Sequence, residues 1–426
     1  MNIKDVILDT LKKEVVPAIG CTEPVAVALT CTKAKELLES DNIIEATILV
    51  SPNIYKNGLG VGIPNTSEIG LDIAAALGIV GGKSEKDLRV LEDISNKQVE
   101  KAKKMLEEGI IKIGIKNTQE KVYVEVNLKS NSNYSKVIIR EMHNNFTHLE
   151  TDGKIIFQKN HISQSENNQS DELFNLKIRD IIKEIEKIEP SKLEFLLEGI
   201  EMNEKIANVA LEKKLGIGVG YSIYENIKNN IIADDLTNTA AMLTAAGADA
   251  RMSGLNMPVM SSNGSGNNGL TAILPIAAYK KKYDVDNEKI VKALAISHII
   301  NCYIKHYIGR LSALCGCSVA AATGSGAAIA YLMGADSNQI DGVIKNMIAN
   351  LSGMICDGAK VSCAFKLATA ASTAVQSALL AVNDSIALPR NGIVAESAEE
   401  TIRNLGILSK EGMNTTDKVI LEIMSK

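Results

Sequence analysis

From about residue 172 to its end, nearly every segment of the 426-residue sequence reads as helix, and several of those helices are apolar around most of their circumference. The stretches 319–333 and 365–380 are built mainly from Ala, Ser, Thr, Gly and aliphatic residues and carry almost no charge. A helix without a polar face has no place in a surface layer, so these must be interior helices of a large bundle. Small side chains let such helices approach closely and leave room for loops to meet inside. Further helical patterns fall at 172–186, 192–201, 203–213, 236–246, 270–281, 287–300 and 339–351, with two more near 394–405 and 413–424. No repeat of fixed period is present.

The first 160 residues have another character. Helical spacing at 6–16 is followed by a second helix from about 25 to 38, with Pro24 in its first turn after Cys21-Thr22-Glu23. Short β-branched runs at 44–50, 111–115, 122–128 and 135–141 predict strands, with helical patterns at 68–77, 85–92 and 96–108 between the first two. Asp152-Gly153 marks a hairpin turn. The expected fold class is α+β: a small mixed or antiparallel sheet with helices on one side, joined to a large all-α bundle. Residues 1–40 are expected to pack on the bundle as N-terminal helices, 41–160 to form the α+β domain, 161–171 a polar exposed linker, and 172–426 the all-helical domain.

Charge narrows the function classes. With 46 basic and 51 acidic residues and 4% aromatics, the chain has neither the field nor the stacking surfaces of a nucleic-acid binder. No span has the bulk of a transmembrane helix, and the charged N-terminus lacks an apolar signal core. A soluble cytoplasmic protein without a membrane partner is expected; a homo-oligomer is compatible with the composition.

In a reducing compartment cysteine clustering points to metal binding or catalysis before disulfides. Of seven cysteines, Cys21 and Cys31 lie near the start, and Cys302, Cys315, Cys317, Cys356 and Cys363 lie close together far downstream. Cys315-Gly316-Cys317 precedes an Ala-rich helix, and Cys356-Asp357-Gly358-Ala359-Lys360-Val361-Ser362-Cys363 precedes another. Helix N-termini favour thiolate, and thiolate-rich sites suit zinc or iron–sulfur clusters. The alternative is that these cysteines are small hydrophobes in an Ala-rich core, which suits Cys31 and Cys302 best.

A loop of Ser261, Ser262, Asn263, Gly264, Ser265, Gly266 and Asn267 runs into the helix at 270 and could offer N–H groups to an anion. It is neither a Walker loop nor a dinucleotide fingerprint. Neutral Ser and Asn side chains suit a carboxylate better than a polyphosphate, and a plain interhelical loop is the competing view. Cys21, just before a Pro-started helix, would have its pKa lowered by the helix terminus. Lys56 and Asn57, after the first strand, could orient a substrate or belong to an ordinary turn. His298 and His306 flank Cys302 at a four-residue spacing common in helices.

Four motifs together carry a resemblance: Gly20-Cys21-Thr22-Glu23-Pro24, Ser261-Ser262-Asn263-Gly264-Ser265-Gly266-Asn267, Cys315-Gly316-Cys317-Ser318-Val319-Ala320-Ala321 and Ile355-Cys356-Asp357-Gly358-Ala359-Lys360. In this order, across nearly the whole chain, they resemble the L-cysteine desulfidase family, related to the α region of iron–sulfur L-serine dehydratases. The resemblance implies an oxygen-sensitive lyase that splits L-cysteine into hydrogen sulfide, ammonia and pyruvate. It implies a [4Fe–4S] cluster held by three cysteines, with one iron open to the substrate and no pyridoxal phosphate.

By the same resemblance the ligands are Cys315, Cys356 and Cys363. Cys317 competes for the first place, and the last two are closer together than in the dehydratases. Cys21 is then the first candidate for the base and Lys360 the second, and the loop 261–267 holds the substrate carboxylate, while Lys56 and Asn57 are candidates to orient the substrate on residue type alone. Where the dehydratases carry Ser-His-Thr, this chain reads Gly-Cys-Thr-Glu-Pro, which favours L-cysteine over L-serine. An L-serine dehydratase and a non-enzymatic metal-binding regulator are the alternatives.

Overall fold

In the computed structural model, which describes residues 2–38, 42–118, 120–159 and 172–424, the chain builds two hydrophobic cores and crosses between them early. α1 (Ile3–Glu14), capped by Asn2, puts Val6, Ile7 and Leu11 into the larger core. β1 (Pro17–Ile19) follows, then α2 (Thr22–Leu38). α2 was expected to pack on the bundle. It lies instead in the smaller core with Val25, Leu29 and Leu38, because it is apolar on the face that covers the sheet.

The sheet comprises β2 (Glu45–Val50), β3 (Ile111–Ile115), β4 (Tyr123–Lys129), β5 (Tyr134–Arg140), β6 (Phe146–Thr151) and β7 (Lys154–Gln158), in the order β3-β2-β4-β5-β6-β7. Its β2–β3 pair is parallel and the rest are antiparallel, so the sheet is mixed. Alternation buries Ala46, Ile48 and Val50 of β2 with Val124, Val126 and Leu128 opposite, under α2 and α4 (Leu71–Gly81). Asp152 and Gly153 both take positive φ, which makes the tight turn between β6 and β7.

Three differences from the sequence patterns matter here. The segment after β2 is a helix, α3 (Pro52–Gly58), capped by the Ser51 hydroxyl and started by Pro52, rather than a turn. The stretch 84–89 is 3-10 helix rather than α, and it precedes α5 (Asn96–Glu107). β1 pairs with β8 (Pro258–Met260) across more than two hundred residues, and that pairing has no local signal.

Beyond the expected linker at 161–171, which lies outside the described residues, the chain is helical. α6 (Ile178–Glu186) is followed by α7 (Leu197–Lys213), a single helix where two were expected, and by α8 (Val219–Lys228), which the sequence pattern missed. α9 (Leu236–Met252), α10 (Gly266–Lys282), α11 (Asn287–Ile308), α12 (Ala322–Leu332), α13 (Ser337–Leu351) and α14 (Cys363–Ala381) complete the bundle interior. α10 is buried from Gly266 to Tyr279, and its three closing lysines carry it toward the surface. α15 (Ala398–Ile407) lies against α11, and α16 (Thr416–Met424) returns to pack on α3. A small α/β domain beside a large all-α bundle is therefore the architecture. Among the described residues no helix is long and apolar enough to cross a membrane.

Candidate functional site

Both cysteine-bearing segments sit at one end of the bundle, zipped together by the backbone. Leu314 and Ile355 form an antiparallel bridge, the Cys315 N–H donates to Met354 O at 2.8 Å, and the Cys356 N–H donates to Ala313 O at 2.7 Å. Cys317 opens a π-turn (Cys317–Ala321) that leads into α12, an irregularity frequent at functional sites. Cys363 is the first residue of α14, with its N–H on Lys360 O at 2.9 Å.

Their sulfurs feel one another. Cys317 donates to Cys315, which chiefly lowers Cys315 to about 6, helped by the Ser318 hydroxyl against the cost of burial. Cys317 is raised for the same reason. Burial first, and then the Cys315 and Cys356 charges, raise Cys363 to about 11.

Basic groups face this cluster. Lys305, 6% exposed on α11, lies beside Gly316: a Cβ there would stand 3.0 Å from its Nζ. Burial pushes Lys305 down to about 8, while the nearby Cys317, Cys356 and Cys315 sulfurs pull it back up. Lys56, 1% exposed, donates to Cys356 O at 3.0 Å and to Asp417 Oδ1 at 2.6 Å. It therefore holds the Cys356 turn rather than presenting a free ammonium to a substrate. Gly358 passes directly over Lys56: its φ is +94° and a Cβ would meet Lys56 O at 2.3 Å, so only glycine fits.

Lys360 pairs with Asp357 at 2.6 Å and its side chain is 28% exposed. It is not the desolvated lysine that a base role would call for; it braces the loop. Lys366 does the same through Ile355 O and Asp357.

The N-terminal motif adjoins this cluster. Cys21 packs in a small apolar group with Val61 and Met252, against Ala359, Val361 and Cys363. Its Sγ donates to Glu23 Oε2 at 3.3 Å. Burial, then the Glu23 charge, drive the Cys21 thiol well above its ordinary range. The expected lowering by the helix terminus is thus overturned, because desolvation and a carboxylate outweigh a partial dipole charge. Burial would raise Glu23 as well, but His143 and the donors Cys21 and Asn57 keep it low, so it is a carboxylate. Asn57 Nδ2 donates to Glu23 Oε1 at 3.0 Å, leaving a buried Asn57 Oδ1 without a partner.

The loop 261–267 is more committed than its composition suggested. Ser261 and Asn263 donate their N–H groups to Val16 O and Glu14 O, and Ser262 and Ser265 bond each other. The Ser261 hydroxyl reaches Val16 O. Ser262 Oγ accepts from Asn301 and faces His298 Nδ1, both at 2.9 Å, so it points into the bundle. Asn263 and Gly264 take positive φ, and Gly264 lies against the Arg310 guanidinium. A ring of free N–H groups is therefore absent over 261–263. What remains is the first turn of α10, where Gly266 and Asn267 have no intrahelical acceptor for their N–H groups.

Sequence reasoning missed Arg251. It is 3% exposed at the end of α9 and donates to Asn267 Oδ1 at 2.9 Å and Gly20 O at 2.7 Å, with a buried Nε unpartnered. It joins the N-terminal motif to the loop, and its partners are neutral. A buried guanidinium paired only with an amide and a carbonyl leaves a positive site that an anion would neutralise. A lone Arg in an Ala-rich helix was the available signal.

Among the described residues no three Cys, His, Asp or Glu side chains are grouped as a preformed metal site. The donor chemistry nevertheless fits a thiolate-bound cluster: four mutually interacting thiols on two bridged turns, opposed by buried lysine. Cys315, Cys317, Cys356 and Cys363 are the four thiols on these turns, whereas Cys31 and Cys302 are buried elsewhere in the two cores.

Residues 85–422 match the family described as "Serine dehydratase alpha chain". A UPF0597 protein of Alkaliphilus oremlandii is 61% identical over 424 residues, covering 100% of this chain and 99% of that one. Relatives of the same name from Alkaliphilus metalliredigens and Clostridioides difficile are 56% and 52% identical, covering 100% and 98% of this chain and 95% and 99% of their own. The chain belongs to the serine dehydratase alpha chain family, as the motif resemblance implied.

Proposed function

We propose that this member of the serine dehydratase alpha chain family is a carbon–sulfur lyase converting L-cysteine to hydrogen sulfide, ammonia and pyruvate, with a [4Fe–4S] cluster held by Cys315, Cys356 and Cys363. The observation that carries the reading is the placement of interacting thiols, facing Lys305 and Lys56, beside a buried guanidinium that lacks an anion. When bound, a three-thiolate cluster supplies an iron with an open position, a Lewis acid toward the substrate sulfur, so pyridoxal phosphate has no task here.

The chain's own groups bind and orient. Arg251 and the N–H groups of Gly266 and Asn267 attract the substrate carboxylate. Asn57 Oδ1 and the Glu23 carboxylate accept from its ammonium group. Ser261, Ser262, Asn263, Gly264 and Ser265 fix the loop's shape through the bonds described above. Cys21 Sγ keeps its proton and donates it in a hydrogen bond to Glu23 Oε2, so the group that takes the Cα proton is another one. Lys56 and Lys360 keep the Cys356–Cys363 loop in place. Burial of Cys21 and Arg251 shields the reacting centre from bulk water.

A second reading, an L-serine dehydratase on the same site, is favoured by the chain's membership of the serine dehydratase alpha chain family. Anaerobic reconstitution with iron and sulfide, followed by sulfide and pyruvate assays on L-cysteine and L-serine, separates the two. Faster turnover of L-cysteine supports the desulfidase; equal or faster turnover of L-serine supports the dehydratase. A colourless, air-stable protein holding zinc supports a regulator instead.

A further inference from the structure

The β5–β6 connection carries a group that none of the motifs contains. The turn is tightly determined: Glu141 takes φ 68° and its N–H bonds Val122 O. Asn145 Nδ2 holds Arg140 O at 3.0 Å, and Asn144 Nδ2 holds Asp87 Oδ2 at 2.8 Å. His143 sits in this turn, and its Nε2 is buried without a hydrogen-bond partner. A buried nitrogen left unsatisfied is unfavourable, so a rigid turn that imposes it calls for a ligand there. The charges acting on the ring are Glu23, at the head of α2, and Arg310, which pairs with Glu14 at 3.2 Å and lies under Gly264 of the substrate loop. His143 therefore lies within electrostatic reach of Glu23 in the N-terminal motif and of Arg310, the side chain beside Gly264 of the loop 261–267.

We propose that His143 is a catalytic residue, the acid–base group that the sheet domain contributes to the substrate site. The inference rests on the lyase reading above. Nε2 takes the proton from the substrate Cα. The C–H electron pair becomes the Cα–Cβ double bond, and the Cβ–S pair leaves with sulfur as hydrosulfide. Water then replaces ammonia on the released enamine to give pyruvate. The Glu23 carboxylate stabilises the imidazolium formed. Burial, with Arg310 adding to it, keeps the ring below its usual pKa despite Glu23, so the base form prevails at neutral pH.

The test uses the reconstituted full chain and the His143→Gln variant. We expect kcat to fall about 100-fold or more, the range of a general base, with KM and iron content held and the acidic limb of the pH–rate profile lost. A rate within threefold of wild type, with the limb retained, overturns the proposal. Wild-type protein that loads iron yet acts on neither L-cysteine nor L-serine overturns the lyase reading itself. Should His143→Gln not fold, imidazole NMR of the cluster-free wild type decides. Its His143 signal, assigned by replacing the other histidines, must titrate below 6.5 and shift lower still when Glu23→Gln removes the facing carboxylate. A His143 signal that ignores Glu23→Gln overturns the arrangement.

Discussion

Lys56→Met distinguishes a lysine that holds the Cys356 turn from one that orients substrate. The Nζ makes two bonds at 2.6 and 3.0 Å and is 1% exposed, whereas Asp417 on α16 is 18% exposed. A charged donor on the Cys356 carbonyl contributes roughly 1.5–3 kcal/mol. The ion pair lies between the surface and buried limits, so with Asp417 partly screened about 1 kcal/mol is a fair share. Methionine keeps the apolar stem packed, so the expected loss is roughly 2–4 kcal/mol, drawn from the bond to the turn more than from the pair. Urea unfolding of the cluster-free protein measures it. The variant should also lose iron faster than wild type, because the turn bearing Cys356 is released. In the cycle with Asp417→Asn the coupling should be about 1 kcal/mol. Unchanged stability and iron retention, together with a raised KM alone, would refute this account and return Lys56 to the substrate.

Cys315→Ser should abolish cluster loading while Cys317→Ser leaves most of it, read by iron analysis; the reverse pattern makes Cys317 the ligand. Arg251→Met should raise KM at least about 30-fold, since about 2 kcal/mol or more is lost when a buried charge loses its partner, with a smaller effect on kcat; an unchanged KM removes Arg251 from carboxylate binding. His298 is fully buried, and burial lowers it to about 3. The unfolded chain thus takes up a proton below its ordinary 6.5 that the folded one refuses, and stability falls with pH from there. Between pH 7 and 5 this one group should cost about 2 kcal/mol, and His298→Asn should remove that slope in urea titrations at the two pH values.

Strands β2 to β5 and the long helices were legible because period-two and apolar-all-round patterns are local, whereas β6 and β7 showed only in the turn between them. β3 at 111–115 and the β2 run both appear where alternation placed them, and the Asp152-Gly153 turn is where its dipeptide predicts it. What escaped is what depends on distant partners. β1 owes its existence to β8, and α2 chose the sheet over the bundle because the sheet's apolar face needed covering. The site divides in the same way. Its cysteines announce themselves by spacing, and Glu23 stood inside a motif without a role assigned to it. The raised thiol of Cys21 follows from Glu23 and burial, neither of which a helix-start signal conveys. Arg251 was visible as a misplaced charge. His143 had no local signal, since only tertiary structure brings a hairpin turn toward the head of α2.

The central claim is that three cysteines at the meeting of two turns leave an iron open for L-cysteine. Mössbauer spectroscopy of anaerobically reconstituted, iron-57-labelled protein tests it most directly. The account predicts a [4Fe–4S] spectrum in which one site is distinct and shifts when L-cysteine is added, with sulfide and pyruvate then released together. A cluster with four equivalent sites, indifferent to L-cysteine, would contradict it.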